Sequence, residues 1–344
     1  MTLVEFVPPT PHPLWKLCPQ MGITDVVVKV HPDQTGLPDP WCYETLSGIV
    51  SRLKSAGLAV VGLEGDPFDL SPVKEYGAEG TGNPEAREEV AARYRELLES
   101  MGRLGIKLLC YNFMVGRGWS RTGVREGRGG AKATCFSLAD SMALDGCREQ
   151  AEARLRLNAD QVWRNYEFFL KAVMPTAEKW GIRMGLHPDD PCLPSLGGYA
   201  RIFGSVEAYD RAYALYPSPS NAVTFCQANF KLMPGGDLNR MNPAETLAEA
   251  ARHFGKRIAF IHIRDVKGTK EDFTELFHDE GDTDLFALMR VYRELGLDVP
   301  VRGDHVPEMA YDRILAPEET PGYFTLGRLF ANGYLKALLH SHVV

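Results

Sequence analysis

IRMGLHPDDPCLPSLGG, residues 182–198, begins as a short apolar-rich run, Ile182 to Leu186, and turns abruptly into histidine, proline and two aspartates. Proline, aspartate and glycine are common in surface turns, which gives one reading of the segment. The other takes Ile182–Leu186 as a β-strand whose end carries His187, one ligand of a metal site gathered from distant parts of the chain. Three more apolar runs bear on the choice: Ala222–Gln227, Ile258–Ile263 and Val299–Arg302 contain or closely precede Cys226, His262 and Asp304. Positions 187, 226, 262 and 304 are 39, 36 and 42 residues apart. Each separation is about one strand-plus-helix unit. In a closed barrel of parallel strands the C-terminal strand ends meet at one mouth, so such a spacing can bring four side chains around one ion.

The rest of the chain keeps the same rhythm. Leu3–Val7, Thr24–Val30, Leu58–Leu63 and Ile106–Phe113 complete a set of eight candidate strands, most of them nearly continuous apolar runs, as parallel strands covered on both faces require. Between them Cys42–Ala56, Pro84–Leu104, Ala151–Trp180, Pro243–Phe254, Asp284–Leu295 and Gly327–Leu339 read as helices. In the fifth, Leu285, Leu288, Met289 and Tyr292 share one apolar face, Gly296 supplies the stop, and Asp282, Thr283 and Asp284 compete to cap the start. Eight strands with interposed helices predict an α/β fold, a (β/α)8 TIM barrel, forming one domain over residues 1–344. No glycine-rich dinucleotide loop follows an early strand, which argues against a doubly wound sheet. Residues 114–132, with Arg117, Arg121, Arg125 and Arg128 among many glycines, read as a long lid or rim loop.

Composition narrows the partners. The 344 residues carry 38 Lys plus Arg against 45 Asp plus Glu, a net charge of -7, and so offer no basic stripe to a nucleic acid. No stretch reaches the roughly 18 apolar residues of a membrane span, and Met1–Pro13 has no basic-then-apolar leader pattern. Seven cysteines (Cys18, Cys42, Cys110, Cys135, Cys147, Cys192 and Cys226) are odd in number and scattered, which predicts reduced thiols in a cytoplasmic protein. The expected partner is a small molecule, with neither nucleic acid nor membrane involved.

Each proposed ligand has a plainer reading. His187 would serve as a cap, Cys226 inside AVTFCQ as a small buried hydrophobe, and His262 as a hydrogen-bonded core residue, while Asp304 could pair with Arg302. Together, at four successive strand ends, they favour a metal site. Imidazole, thiolate and carboxylate suit Zn²⁺, Mn²⁺, Fe²⁺ or Co²⁺, the thiolate pulling toward softer ions. Arg264 shares strand parity with His262 and its fork suits a substrate carboxylate, although an ion pair with Asp189 or Asp190 is the alternative. His305 could move protons beside the metal, because a free imidazole titrates at about 6.5. Tyr323, after a Pro-Gly turn, reads by itself as a packing residue.

CYNFM, GWSRT, LHPDDP, NAVTFC, IHIRDV, RGDH and PGY, in that order from residue 110 to residue 323, resemble the mannonate dehydratase family. The resemblance implies a xylose-isomerase-like barrel, a divalent ion (usually Mn²⁺), and dehydration of the sugar acid D-mannonate to 2-keto-3-deoxy-D-gluconate. It implies His187, Cys226, His262 and Asp304 as ligands and His305 and Tyr323 as catalytic residues, and it is compatible with a homo-oligomer. Arg264, Trp119, Arg121 and Asp189 are then expected to hold the substrate. The chain departs from the family pattern at Val306, where glycine is usual, at Asp265, where asparagine is usual, in Val115–Gly118, and in the opening PPTPHPLWKL. These departures fall near the expected substrate rim, so dehydration of another sugar acid, or sugar isomerisation or epimerisation, stands as the alternative activity, and non-catalytic sugar-acid binding as the alternative outside enzymes.

Overall fold

A computed structural model describes residues 1–144, 156–234 and 242–341. Its strands are β1 (Thr2–Leu3), β2 (Glu5–Val7), β3 (Asp25–Val28), β4 (Ala59–Glu64), β5 (Leu108–Asn112), β6 (Gly123–Glu126), β7 (Lys132–Ser137), β8 (Arg183–His187), β9 (Ser195–Leu196), β10 (Tyr199–Ala200), β11 (Asn221–Cys226), β12 (Ile258–Ile263), β13 (Val266–Gly268), β14 (Asp272–Glu275) and β15 (Pro300–Gly303). Nine of these form one parallel sheet in the order β1-β15-β12-β11-β8-β5-β4-β3-β2. Its two outer members are consecutive in the chain, separated by Val4 alone, whose amide donates to the Val301 carbonyl at 2.8 Å. The nine therefore act as eight staves, and the first stave closes the (β/α)8 barrel by pairing with β15 through its first half and with β3 through its second. The run expected as one strand, Leu3–Val7, is divided for that reason.

Alternation sorts the side chains of each stave. Leu109 and Tyr111, Met184 and Leu186, Val223 and Phe225, and Ile261 and Ile263 point outward into the large core shared with the helices. Their neighbours point into the barrel, where Val4, Val27, Leu108, Cys110, Ala222, Ala259 and Phe260 form a separate apolar cluster. Gly185 belongs to the inward set, and a Cβ there would come within 2.5 Å of Thr224 Oγ1, so its lack of a side chain lets neighbouring staves fill the narrow interior.

The helices appear where the apolar periodicity places them, with local capping chemistry fixing their starts. Asp284 wins the competition at its helix by accepting from the Ala287 amide at 2.9 Å. The helix expected from Ala151 begins instead at Ala159, because Asn158 and Gln161 exchange side-chain and backbone hydrogen bonds in a capping box that ends the extended chain there; residues 151–155 lie outside the described part. The expected lid over 114–132 is not loop throughout. It contains β6, which pairs with β7, and the antiparallel order β13-β14-β7-β6 joins the connection after β5 to the connection after β12. Among the described residues no helix is long and apolar enough to cross a membrane, and six of the seven cysteines are free, Cys147 lying outside the described residues.

Candidate active site

Register decides what meets at the mouth. Cys226 on β11 stands level with His262 on β12, and His262 level with Arg302 on β15, so Asp304, two residues further, lies one step above on the same inward face. His187 closes β8 level with Asn112 of β5. One donor atom from each of His187, Cys226, His262 and Asp304 lies within 4.8 Å of the others. Ligands about 2.0–2.3 Å from a shared ion stand at most about 4.6 Å apart, so donors within 4.8 Å need move by no more than a few tenths of an ångström to share one cation.

The hydrogen bonding supports that fit. His262 is buried, yet neither ring nitrogen is hydrogen-bonded; Nδ1 stands 3.7 Å from Asp304 and Nε2 3.6 Å from Glu64. Buried polar groups are nearly always satisfied, and a histidine with neither nitrogen hydrogen-bonded beside a carboxylate and a thiol suits a cation. His187 is fixed by its Nδ1, which donates to the Pro188 carbonyl at 2.8 Å and leaves Nε2 free. Burial holds the His187 pKa below its ordinary value, so the ring is neutral, the form that coordinates. Burial pushes Asp304 upward, but Arg302, His305, His262 and Arg264 together outweigh it and hold the carboxyl well below the usual carboxylate range. The donor set of two nitrogens, one sulfur and one oxygen fits a divalent transition metal.

Arg264, Arg121 and Asp189, expected to hold the substrate, each have partners inside the protein. Arg264 is buried, and its guanidinium is spent on Asp190 at 2.5 Å, on Glu275 and, through Nε, on Asp304 at 3.2 Å and Cys226 Sγ at 3.4 Å. Arg121 pairs with Asp190 at 2.7 Å and with Glu275. Asp189 turns away from the mouth to accept from the Phe203 amide at 2.7 Å and face Arg201 at 3.5 Å. Their charges are neutralised inside the protein, because fully desolvated ions persist only when paired. These groups brace the ligands: two arginines and two carboxylates lock the chain before β6 to the end of β14 and to the Asp190 loop.

His305 and Tyr323 meet at the same mouth. His305 Nε2 is 3.1 Å from the Tyr323 hydroxyl and 3.6 Å from Asp304, and Nδ1 is 3.0 Å from Glu275. Burial raises the Glu275 pKa, but Arg264, Arg121 and His305 overcome this and lower it to about 2. An ionised Glu275 can only accept, so Nδ1–H donates to it, and in the neutral ring Nε2 is the nitrogen left to accept from the phenol. Burial drives the Tyr323 pKa far upward, keeping the hydroxyl protonated. Trp119 completes the group, its ring centroid 5.1 Å from that of His305 and 6.5 Å from that of Tyr323.

A chamber of about 100 Å³ runs between these residues and the floor of the mouth, and Trp119 and Tyr323 separate it from an outer cavity of about 590 Å³. Glu64, Asn112 and Arg302 also line the inner chamber and had not been singled out. Glu64 ends the apolar run of β4 just as His187 ends β8, so the same end-of-strand reasoning would have found it. Glu275, on the antiparallel sheet, carries no comparable signal, since its partners lie 11, 30 and 154 residues away.

A family model described as D-mannonate dehydratase (UxuA) matches residues 15–142 and 137–343. A mannonate dehydratase of Streptococcus equi subsp. zooepidemicus is 27% identical over 344 residues, covering 94% of this chain and 88% of that protein. One from Brachyspira hyodysenteriae is 28% identical over 347 residues, covering 92% and 91%. The crystal structure of mannonate dehydratase from Streptococcus suis serotype 2 superposes with a TM-score of 0.81 at 26% identity, covering 98% of this chain and 93% of that one. An L-ribulose 3-epimerase matches with a TM-score of 0.56 at 10% identity, a likeness of fold that extends to xylose-isomerase-type barrels.

Proposed function

The chain belongs to the D-mannonate dehydratase family, and on that premise we propose that it removes water from D-mannonate to give 2-keto-3-deoxy-D-gluconate, with His187, Cys226, His262 and Asp304 holding a divalent ion. The observation that carries this reading is the convergence of those four donors around the unsatisfied ring of His262. The reaction breaks the C2–H bond and expels the C3 hydroxyl, and both changes build charge that water would stabilise poorly. His187, Cys226, His262 and Asp304 would hold the divalent ion, which would supply positive charge to offset the negative charge that develops.

This chain's own residues do the rest. His305 Nε2, kept in its accepting tautomer by Glu275, takes the C2 proton. The Tyr323 hydroxyl, kept protonated by burial, gives a proton to the departing C3 hydroxyl, which leaves as water. The enol that remains becomes the 2-keto acid when C3 is protonated. Trp119, between the chambers, shields the reacting carbons from solvent. We assign Mn²⁺ as the working ion, with Fe²⁺, Co²⁺ or Zn²⁺ also suited to the donor set, and the cytoplasm as the setting, in keeping with the free cysteines. The test is incubation of the protein with D-mannonate and Mn²⁺ followed by mass spectrometry. Loss of one water is expected; a product of unchanged mass would replace dehydration with isomerisation or epimerisation.

A further inference from the structure

We infer that Asn229, together with Arg264, weakens the Cys226 sulfur as a metal donor by hydrogen-bonding to it, and so tips the site from thiophilic Zn²⁺ toward harder ions such as Mn²⁺. The inference rests on the proposed ligand set of His187, Cys226, His262 and Asp304.

Two buried cysteines in this part of the barrel have opposite surroundings. Cys192 is a donor: its thiol faces the Asp189 carbonyl at 3.2 Å and the Asn229 carbonyl at 3.4 Å. Cys226 is an acceptor. Arg264 Nε stands 3.4 Å from its Sγ and Asn229 Nδ2 3.5 Å, and among the described residues the sulfur donates to nothing. Two N–H groups and no acceptor suit a sulfur that carries negative charge, the form that binds a metal.

The orientation of the Asn229 amide follows from its second partner. Asn229 lies in the short helix Gln227–Leu232, which starts directly after Cys226, and three residues along a helix bring the side chain back to the same side. Its Nδ2 also faces Asp190 Oδ2 at 3.4 Å. Asp190 is paired with Arg121 and Arg264 and, as a carboxylate, can only accept, so the amide nitrogen and not the oxygen must point to it. The other hydrogen of that nitrogen is then left for Cys226. Asn229 is fully buried and its Oδ1 has no partner. An apolar side chain of the same size would avoid the cost of burying that oxygen; the two bonds from Nδ2 offset it.

A hydrogen bond to a ligand sulfur draws electron density away from the metal. The loss falls hardest on an ion that bonds strongly to sulfur, hence on Zn²⁺ more than on Mn²⁺. Arg264 Nε is shared between Cys226 and Asp304, which is 3.2 Å away, and the rest of its guanidinium holds Asp190 and Glu275. Asn229 is therefore the donor that can be removed without breaking an ion pair.

The test measures dissociation constants for Mn²⁺ and Zn²⁺ by chelator competition on the natural chain, on Asn229→Leu, which keeps the volume, and on Asn229→Ala, which avoids crowding. The ratio of the Mn²⁺ constant to the Zn²⁺ constant should rise about tenfold in the variants. Proton release from Cys226 is common to both metals and cancels in that ratio. In the cobalt-loaded protein the sulfur-to-cobalt charge-transfer band should move to longer wavelength, because a sulfur freed of a hydrogen bond gives up its electron more easily. An unchanged ratio, or equal weakening of both metals with an unmoved band, would overturn the inference and leave Asn229 a packing residue. A natural chain that binds cobalt without any such band would instead overturn the ligand set, so the two failures are told apart.

Discussion

The lower and upper layers of the barrel interior are built by the same staves, on the same face, two or four residues apart. Leu108, Ala222 and Phe260 lie below, and Asn112, Cys226 and His262 above. The lower layer is apolar and packed; the upper layer is a network of ions bound to one another. The difference teaches where the fold keeps its stability and where it spends it. Burying carbon below gains about 25 cal/mol per Å² removed from water, whereas desolvating charges above is repaid only by close pairing. Arg264, Arg121, Arg302, Asp190 and Glu275 supply that pairing, and the four candidate cation donors sit among them.

Substitutions that uncouple the layers would sharpen the contrast. The largest effect is expected from Asp304→Ala or His187→Ala: bound metal and activity should disappear together, with a rate loss of at least about a thousandfold. Elemental analysis showing full metal occupancy in either variant would break the assignment. In the lower layer, Leu108→Ala should cost about 2–5 kcal/mol in denaturant unfolding while the metal stoichiometry stays intact. A loss of metal there would mean that the layers are not separable.

The acid limb of stability tests the pairing directly. Glu275 has its pKa lowered from the ordinary 4.5 to about 2. A depressed carboxylate contributes stability that is present above the unfolded value and lost as pH falls toward the folded one. Unfolding midpoints should therefore decline from about pH 4.5 downward, by on the order of 3 kcal/mol in total from this group, and Glu275→Gln should flatten that decline. An unchanged acid slope in the variant would show that Glu275 does not carry the pairing.

The smallest effect concerns chemistry alone: His305→Gln should keep near-normal metal content but lose at least about a hundredfold in rate. A nearly undiminished rate would reduce His305 to a support for Asp304.

Much of this was legible without coordinates because parallel strands announce themselves as apolar runs and the barrel brings their C-terminal ends together. His187, Cys226, His262 and Asp304 could be chosen from strand position and spacing. Tyr323 could not; its proposed role came from the family resemblance, and its approach to His305 from the structure. Arg264 shows the opposite case. Its parity with His262 correctly aimed it at the mouth, but whether a guanidinium there meets substrate or an internal carboxylate depends on which acids arrive from elsewhere, and Asp190 and Glu275 both arrive.

The amino-acid sequence by itself determined the staves, the helices, the strand-end donors and the acidic, small-molecule character of the chain, since these follow from local periodicity and from composition. The tertiary structure decided which charges neutralise one another. It did so because ion pairing depends on distances between segments as far apart as Arg121 and Glu275, and closing the barrel sets those distances.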